Sequence, residues 1–283
     1  MARPGRRAIV AALVALIAAL ALAAGCGGGD DGGEDLTGGL TPQELLDRSA
    51  EEAAGVETFR IAFEAAGSAD LDDPGAIPGG ELIAGDLDIS GEGPVQNPDR
   101  ASIDLTIGLA GPSLQGNLTR VGDEVFLGVL GQDFRVDLPP EQVALLDFSQ
   151  LYPTLAGWAT DPQETAREEI DGVSTVKITA GIDPEAALGD LAPLLGTGEI
   201  TPAQAAAAVR QGSLEMWIGT GDLLPRRVHL VLQADGTGLD AGVGAVDIDL
   251  TADLSAYGEP VDIQAPQDAQ ELDLEQLGGL TGG

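Results

Sequence analysis

The chain has 283 residues, 47 of them Asp or Glu and 13 Lys or Arg, for a formal net charge of −34. A surface of that sign repels nucleic acid and anionic headgroups, and the single lysine, Lys177, leaves no polybasic patch. Aromatics at 3% argue against a base- or sugar-stacking platform, while 43% apolar residues interspersed with the acids argue for a folded chain with a core.

Arg3, Arg6 and Arg7 precede an apolar run that starts at Ala8 and exits on Leu22-Ala23-Ala24-Gly25-Cys26. A basic head, an apolar body and a small-residue exit describe an export signal over residues 1–25. The exit resembles the bacterial lipobox, where signal peptidase II cuts before a cysteine that carries a diacylglyceryl group. Ala24, Gly25 and Cys26 match it, and Ala23 stands where Leu is commonest. The resemblance implies that Cys26 is the lipid attachment residue, bearing acyl chains such as palmitate. Cys26 is the only cysteine, so no internal disulfide can form. An uncleaved anchor is the alternative, since Ala8 to Gly25 approaches the length of a membrane span. Either way the rest of the chain lies outside the cytoplasmic membrane, on its outer face.

Residues 26–40 read as a lipidated, flexible Gly/Asp-rich tether with a reach of about 20 Å. Thr41-Pro42-Gln43-Glu44 opens a helix with a capping box, and Gly55 ends it. The period then changes to two. Phe59, Ile61, Phe63 and Ala65 share one face, with Arg60 and Glu64 on the other. Ile83, Leu87 and Ile89 alternate with Asp86, Asp88 and Ser90, and Ile103, Leu105 and Ile107 alternate with Ser102, Asp104 and Thr106. Runs around Leu114 and Leu118, then Val125, Leu127 and Val129, then Phe134 and Val136, continue the series. Short Gly- and Pro-containing links between them predict an antiparallel meander with one apolar face.

Pro139 to Gln150 reads as helical and Leu151 to Ala159 as an apolar connector containing Trp158. Asp171-Gly172 is a two-residue hairpin signal between Ala166 and Ala180. Asp183-Pro184-Glu185 and Thr201-Pro202-Ala203-Gln204 open two further helices. Strands resume at Leu214 to Ile218, Arg226 to Gln233 and Val243 to Leu254. Residues 267–283 read as an acidic, Gly-rich disordered tail. The fold class expected is α+β, mostly β. About eleven strands form a curled antiparallel half-barrel, and a few helices cover its concave face.

With these elements placed, residues 41–266 resemble the actinobacterial lipid-binding lipoproteins of the LppX/LprG type, within the LolA/LolB-like superfamily. The lipobox and capped helix running into the strand from Phe59 carry part of the likeness. The hairpin Ala166 to Ala180 followed by Asp183-Pro184, and Leu224-Pro225-Arg226, carry more. The ending Tyr257-Gly258-Glu259-Pro260-Val261-Asp262-Ile263 after a long strand is the most specific piece. The resemblance implies a half-barrel that holds acyl chains of lipids or lipoglycans.

The candidate cavity lining follows from the alternation: Phe59, Ile61, Phe63, Ile83, Leu87, Ile89, Ile103, Leu105, Ile107, Val125, Leu127 and Val129. No catalytic set stands beside it. His229 is the only histidine, on a polar strand face with no Ser or Cys partner in sequence. Gly111-Pro112-Ser113-Leu114-Gln115 lacks the last glycine of a nucleophile elbow. Asp70 to Glu81 copies part of a calcium loop, but Pro74 removes a ligand and strands flank it, so no metal or cofactor is expected. Trp158 is a core anchor or part of a cavity entrance. The expected function is therefore non-enzymatic: a membrane-anchored lipoprotein that binds or carries a lipid or glycolipid, with no nucleic acid partner. The alternative is a surface lipoprotein acting as a sensor or envelope-assembly module, with a protein partner and no small ligand.

Overall fold

The computed structural model describes residues 35–71, 85–108, 113–138, 143, 147, 148, 150–195, 201–235 and 243–272. The export signal, Cys26 and most of the Asp70–Glu81 loop lie outside them, and Leu36–Gly283 forms one unit. Twelve strands make a single open sheet. They are β1 (Thr58–Leu71), β2 (Gly85–Gln96), β3 (Arg100–Gly108), β4 (Leu114–Val121), β5 (Glu124–Val129) and β6 (Gln132–Val136), then β7 (Ala159–Ile170), β8 (Val173–Ile182), β9 (Val209–Gly219), β10 (Pro225–Asp235), β11 (Val243–Ser255) and β12 (Gln270–Leu272). Their order is β12-β6-β5-β4-β3-β2-β1-β11-β10-β9-β8-β7. Two antiparallel meanders are thus joined where β1 pairs with β11. The sheet is not closed, and the curled half-barrel expected from the alternation is the architecture found.

The strand ends fall into two sets. At the turn end lie Asn97 to Asp99, Gly122-Asp123, Asp171-Gly172 and Thr220 to Leu224, all connecting neighbouring strands. At the far end lie Leu130-Gly131 and the ends where β1 meets β2, β3 meets β4 and β10 meets β11. Asp171 and Gly172 both have positive φ, as the two-residue turn expected there requires. Leu130 and Gly131 share that conformation, at φ 53 and 76, yet Leu130 is 97% exposed. A leucine gains no burial there and bears the steric cost of the left-handed region. Leu130→Asn is therefore expected to stabilise the domain by about 1 kcal/mol, read as a melting temperature higher by about 3 °C.

Four helices are described, α1 (Pro42–Ala54), α2 (Leu151–Gly157), α3 (Pro184–Leu195) and α4 (Pro202–Ala208). In α1 the Glu44 N–H donates to Thr41 Oγ1 at 3.3 Å, and the Thr41 N–H donates to Glu44 Oε2 at 2.8 Å. Thr201 and Gln204 form the same box on α4. The segment expected to be a connector is α2. Pro153 lies in its first turn, where a missing N–H breaks no helical bond. Leu45 and Leu46 of α1, Tyr152 and Leu155 of α2 and Ala187 of α3 pack with Phe59, Ile61, Val95, Ile103, Val176, Ile178, Leu214, Met216 and Leu254 in one buried cluster. All four helices belong to the sheet's apolar side or to each other.

Leu36 and Thr37 before α1, and the segment that follows β11, pack at the turn end of the sheet. Leu36 N–H donates to Thr220 O at 2.9 Å, and Arg167 Nη2 donates to the buried Thr37 Oγ1 at 3.1 Å. After α1, Asn97 Nδ2 donates to Val56 O at 2.7 Å, so α1 bridges from the β7–β9 side to β1 and β2. After β11, Gly258 N–H donates to Thr58 O, Arg100 Nη1 donates to Ile263 O at 2.8 Å, and Ile263 is buried. That strap ends in β12, parallel to β6, within the stretch expected to be a disordered tail. The opposite edge, β7, is blunted by Pro162, by positive φ at Asp161 and by two register shifts.

Candidate functional site

The register carries the apolar face across the sheet strand by strand. Phe59, Ile61 and Phe63 of β1 stand beside Val95, Gly93 and Gly91 of β2. Ile89 pairs with Ile107, Leu118 with Ile103 and Leu127, and Leu127 with Phe134. On the other side of β1, Ile61, Phe63 and Ala65 pair with Leu254, Ala252 and Leu250 of β11. Gly91 has a local reason: a Cβ there would lie 2.7 Å from the Phe63 ring and 2.8 Å from Leu105. The Phe63 ring occupies the space that a side chain on β2 would otherwise fill.

Eleven of the twelve residues named from the sequence stand on this face, and Ile83 lies outside the described residues. They do not share one environment. Phe59, Ile61, Ile103 and Val125 are buried, and Phe63 and Leu105 are half-buried against the core. Leu87, Ile89, Ile107, Leu127 and Val129 are half-buried and outside the core cluster, at the far-end half of β2 to β5. Leu118 and Phe134 lie beside them and were missed, although cross-strand neighbours of Leu127 were available from the same alternation. Leu114, paired with Ile107, is 49% exposed. An apolar swath thus continues from the helix-covered core onto the far-end half of β2–β6.

Among the described residues, two hollows open along the polar residues of the opposite face. The larger, about 810 Å³, is lined by Glu64, Glu92, Asp104, Thr106, Arg227 and Asp253 together with Phe63 and Leu105, and the smaller, about 360 Å³, by Asp88 and Asp249 together with Ala65 and Ile89. The larger suits an acyl chain poorly, because hydrocarbon would strip water from its four carboxylates without replacing their hydrogen bonds. The only histidine lies on this face between two acids, with Nδ1 3.4 Å from Glu215 Oε2 and Nε2 3.0 Å from Asp249 Oδ1. Lys177 Nζ reaches Glu215 Oε1 at 2.8 Å and sits 4.6 Å above the Trp217 ring. Arg227 donates to both carboxylate oxygens of Asp253, at 2.5 and 2.9 Å. These are structural ladders across β8 to β11, with no nucleophile among them. Trp158 is a core anchor, its Nε1 donating to Asp190 Oδ2 at 2.8 Å.

Burial pushes the Glu215 carboxyl up, but hydrogen bonds from Lys177 and His229, together with their charges, outweigh it and hold it below the usual carboxylate value. A depressed folded value stabilises the fold above the unfolded carboxylate pKa, near 4.3, and that contribution is lost as pH falls through the folded value. Between pH 6 and pH 3 the wild type is expected to lose more melting temperature than Glu215→Gln, as scanning calorimetry would read it.

No protein-family model matches the chain, and no curated protein is similar to it in sequence. Among solved structures it is similar to the Mycobacterium tuberculosis lipoprotein LppX, at 18% identity and a TM-score of 0.46, over 79% of this chain and 98% of that one. LprF from Mycobacterium bovis is similar at 17% identity and 0.46, over 80% and 96%. A LolA superfamily protein from Nitrosomonas europaea is similar at 11% and 0.30, over 78% and 96%.

Proposed function

We propose that this chain is a lipid-binding lipoprotein, anchored through Cys26 to the outer face of the cytoplasmic membrane, that holds acyl chains on the apolar face of β2–β6. One observation carries the reading: Leu87, Ile89, Ile107, Leu127 and Val129 form an apolar surface that is neither in the packed core nor polar enough for plain solvation. Hydrocarbon covering it gains about 0.8 kcal/mol per buried methylene, with no reaction required. Phe59, Ile61, Ile103 and Val125 then form the floor that continues into the core, and Phe63 and Leu105 the border. The acidic surface disfavours an anionic headgroup, so a glycolipid or neutral lipid fits best.

The anchor is tested directly. The mature wild type is expected to begin at Cys26 and to carry the mass of its acyl chains, and Cys26→Ser is expected to lose both the cleavage and that mass, as intact-protein mass spectrometry would read them. A wild type that stays uncut, with no acyl mass on Cys26, would mean that Ala8 to Gly25 spans the membrane as a helix.

A further inference from the structure

The two edges of the sheet are protected in different ways. At β7 the protection is built into the strand, by Pro162, by the positive φ of Asp161 and by two register shifts. β6 has none of these devices. Its residues Gln132–Val136 pair with β5 without a shift and include no proline, so its outer side is a regular strand edge. What occupies that edge is β12.

β12 is attached unlike the other strands. It is three residues long and lies parallel to β6, whereas every other pair among the described strands is antiparallel. It pairs with Phe134, Arg135 and Val136 and leaves Gln132 and Asp133 without a partner on that side. The chain before it is pinned at the buried Ile263, whose carbonyl accepts from Arg100 Nη1 at 2.8 Å. Among the described residues, Gln264 to Ala269 make no hydrogen bond to the sheet. Gln270 and Glu271 are exposed. Arg135 Nη2 donates to Glu271 Oε1 at 2.8 Å, and the Glu271 side chain is 85% exposed. An ion pair so open to water holds a strand weakly. β12 can therefore leave while Ile263 and the rest of the sheet keep their contacts.

We propose that the β6 edge is a strand-acceptor site for another polypeptide, and that β12 is its resident occupant, which the incoming segment displaces. The partner is an extended segment laid parallel to β6, with one acidic residue between two uncharged ones. Gln270-Glu271-Leu272 is that pattern, and the edge already holds it. Main-chain hydrogen bonds supply the affinity. Arg135, which also reaches Glu124 Oε1 at 3.3 Å, selects the acid at the middle position. A segment two residues longer at its N-terminal end also pairs with Gln132 and Asp133, and so gains what β12 lacks. The proposal rests on neither the lipid anchor nor lipid binding.

Hydrogen exchange read by mass spectrometry tests it on three forms of the protein. These are the full chain, the chain ended at Leu272, which keeps β12, and the chain ended at Ala265, which lacks it. Exchange in β6 is expected to be the same in the first two and several-fold faster in the third, with β1–β3 and β8–β11 unchanged. A synthetic peptide of residues 266–272, at millimolar concentration, is expected to restore protection to the chain ended at Ala265. The same peptide with Glu271→Arg is expected to fail there and to protect the Arg135→Glu variant of that chain. Faster exchange already in the chain ended at Leu272 overturns the assignment of the occupant to β12. Protection lost across the whole sheet without β12 overturns its displacement. No protection by the wild-type peptide overturns the acceptor site, and equal protection by both peptides overturns selection by Arg135.

Discussion

Gly93→Ala is expected to lower the melting temperature by about 10 °C, the largest loss expected for a glycine-to-alanine change among the described residues. A Cβ at Gly93 would stand 1.9 Å from Ser102 O and 3.0 Å from Ile103 Cα. Those are backbone atoms of the neighbouring strand, so no side-chain rotation relieves the clash. The pairing of β2 and β3 already lapses here, between Glu92 opposite Asp104 and Val95 opposite Ala101, and Pro94 has no N–H to donate. The alanine forces the strands apart beside the buried Ile103 and costs about 3 kcal/mol. Gly189→Ala is the matched control. It adds a methyl within α3 with no atom within 4 Å, and is expected to stabilise by about 0.5–1 kcal/mol. Thermal melts of the two variants should therefore move in opposite directions.

The second large effect is on ligand rather than on stability. Ile107→Trp is expected to cut bound lipid several-fold while moving the melting temperature by less than about 4 °C. Ile107 is half-buried between Ile89 and Leu114 and is not part of the packed cluster, so a larger side chain there occupies ligand space before it strains the core. Leu127→Trp should act in the same direction. Ile103→Trp, two pairs away on the same strand but 0% exposed, should instead overpack and cost at least about 3 kcal/mol. Lipid content by mass spectrometry and melting by calorimetry, on the same preparations, separate the two behaviours. A large melting shift at Ile107 with unchanged lipid would mean that its neighbourhood is filled core.

Much of this was legible in the alternation. The period-two runs from Phe59 to Val136 placed six strands and their inward face correctly, because a sheet buried on one side writes its register into every second residue. Thr41 and Glu44 announced α1, and Asp171-Gly172 its hairpin, since both are local chemistry that tertiary contacts did not override. What failed was punctuation. Gly91-Glu92-Gly93-Pro94 reads as the end of a strand, yet β2 runs on to Gln96. Those glycines are there for the Phe63 ring and the Ser102 carbonyl, partners that only the neighbouring strands supply. Pro153 and Gly157 hid α2 in the same way. Gln270 to Leu272 carries too little hydrophobic signal to read as a strand, and its pairing comes from the edge of β6. At the site, alternation fixed which face the lining residues share. It could not say that Ile103 is sealed while Ile107 is not, because that depends on where the helices lie.

Native mass spectrometry of residues 36–283, purified without detergent, tests lipid binding most directly. The expected result is a species heavier than the bare chain by the mass of a neutral lipid or glycolipid, lost on organic extraction and regained on incubation with vesicles of that lipid. A protein found only at its bare mass, which gains none when offered such vesicles, would contradict lipid binding.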